Sequence, residues 1–367
     1  MAVMLDPVEL RHTLHKFPEL MFQEFKTTEI LIKNIKRMNN IKILRPLETG
    51  FIAEYKVNDG NFYLFRADID ALPIKEETGV SFASMNSLMH ACGHDVHTSI
   101  LYGLLQYAVK NKINKNILFL FQPGEEGGGG AEQVINSGVL NSYNINKAFA
   151  LHVTDEYKEG VIASTPGILF ASAFEIDIEF FGTSAHVAFP EKGVNAFQAL
   201  ILFLTKVNEL TDGENKKIIF GYGKIKSGDV RNIIPAYAKI EATIRTLSRE
   251  KSEAFLNKII SLLGTIERES GIKYKITTGS LYTEVNVDKI LYEKYKKILK
   301  NKYKFIDCGY KMTGEDFGFI SKLYPSFMFW LGTRTGEQFG LHNPKFLPGD
   351  SIISKGIDIF KLILNEE

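Results

Sequence analysis

Three short apolar runs, at 62–65, 116–121 and 147–151, each hand over almost at once to charged or metal-ligating residues. A strand that is apolar on both faces has to be covered on both sides, as the central strands of an α/β sheet are. In such sheets the carboxyl ends of the strands open onto the ligand crevice. The runs therefore predict a layered α/β domain with a polar site along one end of its sheet. The first run delivers Arg66, Asp68 and Asp70, the second Glu125 and Glu126, and the third ends at His152. Amphipathic helices are expected over 6–16 and 24–38, with Phe17-Pro18-Glu19-Leu20 breaking between them. An alternating strand is expected over 51–57. Asn58-Asp59-Gly60-Asn61 reads as a hairpin turn leading into the strand 62–65.

Between the first and second runs lies Met89-His90-Ala91-Cys92-Gly93-His94-Asp95-Val96-His97. It contains three of the chain's eight histidines and one of its two cysteines. Donors at that density point to a metal. Thiolate with imidazole suits Zn²⁺, while Mn²⁺, Co²⁺ and Ni²⁺ accept imidazole and carboxylate. Cys92 and His94 are two apart and share a face if the segment is extended. Read alone, the stretch also fits a helix N-terminus with a buried cysteine and an aspartate cap, and a helix is expected over 98–111.

Two adjacent carboxylates at a strand end, Glu125 and Glu126, divide naturally into a metal ligand and a base for a water beside it. A solvated acidic turn is the plainer alternative. Gly127 to Gly130 lack the Lys-Ser/Thr of a phosphate loop, so close backbone approach before a helix from Ala131 is expected. His152, and His342 in Gly340-Leu341-His342-Asn343-Pro344, are each weak alone and supply further donors if the segments converge.

Between Ala173 and Gly279 the pattern changes to clean alternation, with a β-α-β-β-α-β order that predicts a ferredoxin-like antiparallel sheet with two helices on one face. The expected organisation is a catalytic domain from 1–172 and 280–367, interrupted by an inserted α+β domain at 173–279. A chain of 367 residues can hold both. A net charge of +1 favours no polyanion, so no nucleic-acid partner is expected. No apolar run approaches ~18 residues, so no membrane span is expected. Two cysteines, at 92 and 308, make no disulfide framework. With an N-terminus too short and too soon polar for a signal peptide, they predict a cytoplasmic protein.

Taken together, Leu14-His15-Lys16-Phe17-Pro18-Glu19-Leu20, Arg66-Ala67-Asp68-Ile69-Asp70-Ala71-Leu72-Pro73, the Met89 to His97 stretch, Phe121-Gln122-Pro123-Gly124-Glu125-Glu126, Thr243-Ile244-Arg245-Thr246, Thr313 to Gly318 and Gly340-Leu341-His342 resemble the metal-dependent aminoacylase/carboxypeptidase amidohydrolases. The match is to the branch that includes hippurate and auxin-conjugate hydrolases. The resemblance implies a mixed-sheet, di-metal, aminopeptidase-like catalytic domain with a ferredoxin-like lid or dimerisation domain inserted in it. It implies two divalent ions (Zn, Mn, Co or Ni) on Cys92, His94, Glu126, His152 and His342, with Cys92 where related subfamilies have a bridging aspartate. Glu125 would be the general base and Asp68 the acid that orients a ligand. Arg66 stands where other subfamilies carry a ligand histidine, which leaves that place to another residue, His94 being the candidate. His186 would be the smaller domain's active-site histidine, although Ser184-Ala185 and Pro190-Glu191 replace the motif's usual Gly-Gly and Pro-His. It would act by hinge closure or across a homodimer formed through the inserted domain. Asn232 and Arg245 are candidates for a substrate carboxylate. The implied substrate is a small N-acyl amino acid, with N-acetyl-LL-2,6-diaminopimelate expected and a broader acyl-amino-acid, hippurate-type or dipeptide range as the alternative.

Overall fold

In the computed structural model the structure describes residues 4–212 and 217–367. Met1 to Val3, the first residues of the N-terminal segment considered above, lie outside them. The chain forms two compact units, one of Met1–Leu169, Val285–Tyr310 and Asp316–Glu367, the other of Phe170–Glu284 and Lys311–Glu315.

The larger unit is built on an eight-stranded mixed sheet. Its order is Ile41–Leu44, Phe51–Tyr55, Asn116–Gln122, Phe62–Asp68, Ile145–Lys158, Ser326–Arg334, Ile162–Ser164 and Phe305–Asp307. The four central strands run parallel, and Asn116–Gln122 is buried at every position. The hairpin expected at 58–61 does not form a strand pair. Phe51–Tyr55 pairs antiparallel with Asn116–Gln122, which in turn lies between it and Phe62–Asp68. The turn chemistry at Asn58 is local, with Gly60 N donating to Asn58 Oδ1. Pairing is decided by which apolar strand can be buried on both faces, and 116–122 takes the central place. Two strands also run further than their apolar cores. Phe62–Asp68 includes Arg66 and Asp68, and Ile145–Lys158 carries His152 within it rather than at its end.

The helix His94–Lys110 begins four residues earlier than the apolar stripe suggests. Its N-cap is Gly93 in the left-handed region at φ 83°, where a Cβ would lie 2.3 Å from Val153 Cγ2. Cys92 and His94 therefore converge through a glycine turn into a helix, not through strand alternation. The alternative reading of a helix N-terminus was the right local structure. The helix packs against Ser351–Asn365 by mutual close approach. A Cβ on Gly103 would meet Ile357 Cδ1 at 2.2 Å, and one on Gly356 would meet Ile100 Cδ1 at 2.3 Å.

The smaller unit is a four-stranded antiparallel sheet ordered Lys273–Tyr282, Ser172–Phe181, Tyr237–Thr246, Ile218–Ser227. With helices Ala196–Asp212 and Arg249–Ser270 between the strands it is ferredoxin-like. Ile176, Ile178 and Phe180 alternate inward and pack with Leu200, Phe203, Ile259 and Leu263 from the helices. Ser248 caps the second helix and Gly271 ends it at φ 70°.

The glycine run after Asn116–Gln122 divides by two physical needs. Gly127 and Gly129 sit at φ 82° and 62°, while a Cβ on Gly130 would lie 1.7 Å from the Pro123 carbonyl oxygen. Gly127, by contrast, has open space around it. Gly127→Ala is expected to cost only the left-handed penalty of about 1–2 kcal/mol. Gly130→Ala must displace backbone and should lower the melting temperature more. Equal melting temperatures for the two variants would show that the turn yields without cost.

Candidate metal centre

The parallel strands bring their polar residues to one end of the sheet, and helix His94–Lys110 aims its first turn at the same place. Among the described residues five groups of donors lie with their atoms within 4.8 Å of one another, and two of them contain the cysteine: Cys92, His94 and His152, and Cys92, Glu126 and His342. Cys92 is common to both. Its Sγ lies 3.4 Å from His152 Nε2, and His342 Nε2 lies 3.3 Å from Glu126 Oε1. The five donors expected from the sequence are thus gathered in the larger unit from four separate segments. Glu125 joins them, with Oε2 4.0 Å from His94 Nε2.

The supports around these donors decide which nitrogen each histidine presents. His94 Nδ1 donates to the Asp70 backbone oxygen at 3.0 Å and lies 3.1 Å from Asp70 Oδ1, which turns Nε2 inward. His152 Nδ1 donates to Val153 O at 2.7 Å, again leaving Nε2 inward. Asp70 has a second task, since its Oδ2 accepts the Glu126 N–H at 2.9 Å. One buried carboxylate therefore orients two of the donor segments. The sequence placed Asp70 among the charges delivered to the site end of the sheet but gave it no role there. Its spacing from Asp68 was the available signal.

Asp68 is fully buried and does not bond the outer nitrogen of either inward-facing histidine. Its Oδ1 takes His97 Nδ1 at 2.6 Å and its Oδ2 takes Arg66 Nη1 at 2.7 Å, with His94 Nε2 at 3.7 Å. His97 Nε2 accepts the Val153 N–H at 2.9 Å, so both its nitrogens are occupied. Asp68, His94 and His97 are also close enough to suggest a cation. Their hydrogen bonds make them instead a support through which Asp68 and His97 hold the strand carrying His152. His97 was present in the sequence cluster, but its role was hidden because the helix was expected to start after it. Arg66 extends the support, with Nη2 2.7 Å from Asp316 Oδ1 and Nε 2.8 Å from Gln122 Oε1.

Electrostatics fit a cation. Burial first, then the charges of Glu126, Glu125 and Asp68, push the Cys92 thiol well above its usual range. Burial first, then His97, keeps His152 neutral, the form that ligates. Burial opposes charge on His94, but Asp68, Asp70 and Glu126 outweigh it and raise its pKa to about 10. Two buried atoms, His94 Nε2 and Glu126 Oε1, have no hydrogen-bond partner, although the second is near His342. Excess negative charge, a thiol held back from ionising and inward orphan atoms are the conditions a divalent ion relieves.

His186, Asn232 and Arg245 all lie in the smaller unit. His186 is exposed and forms an isolated bridge with Ile233, beside the exposed Asn232, whose carbonyl accepts the Val187 N–H at 3.1 Å. Ala188 N–H donates to His186 Nδ1 at 3.1 Å. Arg245 is half-buried on Tyr237–Thr246, and a Cβ on Gly314 would come within 2.7 Å of its Nη1.

Residues 64–366 match the model of peptidase family M20/M25/M40. The chain is 38% identical to the N-acetyldiaminopimelate deacetylase of Exiguobacterium sibiricum over 94% of its length and 95% of that protein's. It is 36% identical to the N-acetyldiaminopimelate deacetylase of a Geobacillus species over 95% of each. Among solved structures it is similar to Bacillus subtilis YxeP, described as a dinuclear metal-binding peptidase of family M20. The TM-score is 0.81 at 28% identity, over 98% of this chain and 96% of that one.

The arrangement predicts separable losses in divalent-ion binding. If Cys92 serves both donor sets, Cys92→Ser should weaken ion binding at both, because a hydroxyl would be a far poorer ligand than a thiolate. Asp70→Ala, which removes a support and no donor, should weaken binding about tenfold to a hundredfold. Titration of the metal-free protein with Zn²⁺ reads both. Wild-type affinity in Cys92→Ser would remove Cys92 from the site.

Proposed function

Because this chain belongs to peptidase family M20/M25/M40, we propose that it is a two-metal amidohydrolase that deacetylates N-acetyl-LL-2,6-diaminopimelate, giving LL-2,6-diaminopimelate and acetate. The observation that carries the chemistry is the sharing of Cys92 by two donor sets with Glu125 at their side. The substrate rests on relatives at 36–38% identity, all named N-acetyldiaminopimelate deacetylase. In this reading the product is an intermediate of lysine and diaminopimelate biosynthesis and the enzyme works in the cytoplasm. A homodimer through the inserted unit is compatible with it. No helix among the described residues is long and apolar enough to cross a membrane.

Cys92, His94 and His152 would hold one ion and Cys92, Glu126 and His342 the other. When bound, the ions supply Lewis acidity that lowers the pKa of a water to about 7 and polarises the amide carbonyl. Glu125 accepts the proton of the attacking water and returns it to the leaving amine. Burial keeps that carboxylate from being solvated away from its task. Asp68 keeps His97 and the strand bearing His152 in register, and so acts on the chemistry through them. We assign His186 to the developing oxyanion. Because Nδ1 accepts from Ala188, the neutral ring carries its proton on Nε2, which is the form able to donate. Asn232 and Arg245 are assigned to the carboxylate of the substrate, with Arg245 able to bind it bidentately.

The test is a panel of N-acetyl-LL-diaminopimelate, N-acetyl-leucine and benzoyl-glycine on protein stripped with a chelator and reloaded with Zn²⁺, Mn²⁺ or Co²⁺. A higher kcat/KM for either of the last two would sink the substrate and leave the reaction class. No hydrolysis of any amide by loaded protein would sink the class.

Glu125 and Glu126 are adjacent and should fail differently. Glu125→Gln is expected to keep its metal and lose on the order of 10²–10⁴ in rate, while Glu126→Ala should lose metal. Metal analysis showing the reverse would mean their roles are exchanged. His186→Ala should lower kcat and leave metal content unchanged, the mark of a contact made in the transition state. A normal kcat would reduce His186 to a structural residue.

A further inference from the structure

His342 is the donor least supported by its own burial: its side chain is 51% exposed. It is also held in a conformation few side chains adopt, at φ 62°. Something other than packing must keep it there. On one side its own N–H donates to Ala91 O at 2.9 Å, next to Cys92. On the other, Asp155 Oδ2 accepts two successive backbone N–H groups, Phe339 at 2.7 Å and Gly340 at 2.8 Å. Asp155 is 6% exposed, and its Oδ1 is buried without a hydrogen-bond partner.

Asp155 lies three residues beyond His152 on Ile145–Lys158. The pairing of that strand with Ser326–Arg334 slips there: Gly332 faces Thr154 and Arg334 faces Lys158. The extra residues form an irregularity beginning at Asp155. Such irregularities occur where a strand must redirect a side chain beside an active site. Here the redirected carboxylate reaches a loop that carries a donor of one set, from the strand that carries a donor of the other.

We propose that Asp155 is a positioning residue of the metal centre. It fixes the 339–342 loop so that His342 is delivered to the Cys92 and Glu126 set, and it does not touch an ion itself. The proposal rests on the two-ion reading above.

The experiment titrates metal-free protein with Zn²⁺ and counts sites and affinities in wild type, Asp155→Ala, Asp155→Asn and His342→Ala. Wild type should bind two ions. Asp155→Ala should keep one at wild-type affinity and bind the other about tenfold to a hundredfold more weakly, as His342→Ala does. Asp155→Asn retains an oxygen acceptor for the two N–H groups and should restore most of the loss. Two wild-type sites in Asp155→Ala would overturn the proposal, as would equal weakening of both, the mark of a merely structural residue. Fewer than two sites in wild type would overturn the two-ion reading and this assignment together. If Asp155→Ala does not fold, the pair Asp155→Asn and His342→Ala decides. Asp155→Asn should leave the remaining ion unaffected in the His342→Ala background, and a further loss there would overturn the proposal.

Discussion

Asp68, Asp70, Glu125 and Asp316 are all buried at one end of the larger sheet, together with the Cys92 thiol. Ionised carboxylates out of water are costly unless charges and hydrogen bonds answer them. Much of the local structure is that answer. The Arg66 guanidinium lies across Asp68 and Asp316, and it stays charged at any ordinary pH. Gln122 donates to both oxygens of Asp316, at 2.9 and 2.8 Å, and Ala131 N–H donates to it at 2.9 Å. Asp70 takes the His94 and Glu126 N–H groups. Cys92, Glu125 and Glu126 are the acidic side chains at the two donor sets, where His94 and His342 lie beside the glutamates.

The same logic explains why backbone shape is unusual there. Adjacent carboxylates can point to different tasks only if the turn bearing them is tight. Gly130 folds against Pro123, and the Gly124 N–H is held at 2.8 Å by buried Glu24. Burial, followed by the nearby charge of Asp70, raises Glu24 to about 7. On the opposite side Gly93 lets the chain pass Val153 and start a helix at once. Donors from loops are thus held by backbone contacts, and donors on regular elements by hydrogen bonds to their outer nitrogens.

Much of this was legible before the structure. Apolar runs ending in charge identified the central strands of the larger sheet, because a strand buried on both faces has no polar residues to alternate. Strict alternation identified the smaller unit's sheet for the opposite reason. The hairpin expected at Asn58-Asp59-Gly60-Asn61 failed because turn propensity is local, whereas the choice of partner for Phe51–Tyr55 depends on a strand some sixty residues later. The extended reading of Cys92 to His94 failed because spacing of two also fits a turn into a helix, and only Val153 packing against Gly93 distinguishes them.

The amino-acid sequence by itself determined which chemical groups are available and which segments must be buried. Residue type sets donor softness and charge, and periodicity sets which face turns inward. Only the tertiary structure decided which donor shares an ion's neighbourhood with which, and what each outer nitrogen bonds. It placed Asp70 between His94 and Glu126, gave both nitrogens of His97 to Asp68 and Val153, and set Asp155 against the His342 loop. These contacts join residues tens to hundreds of positions apart, within about 3 Å. No local preference encodes such a distance, because it is fixed only when the whole sheet and its helices close-pack.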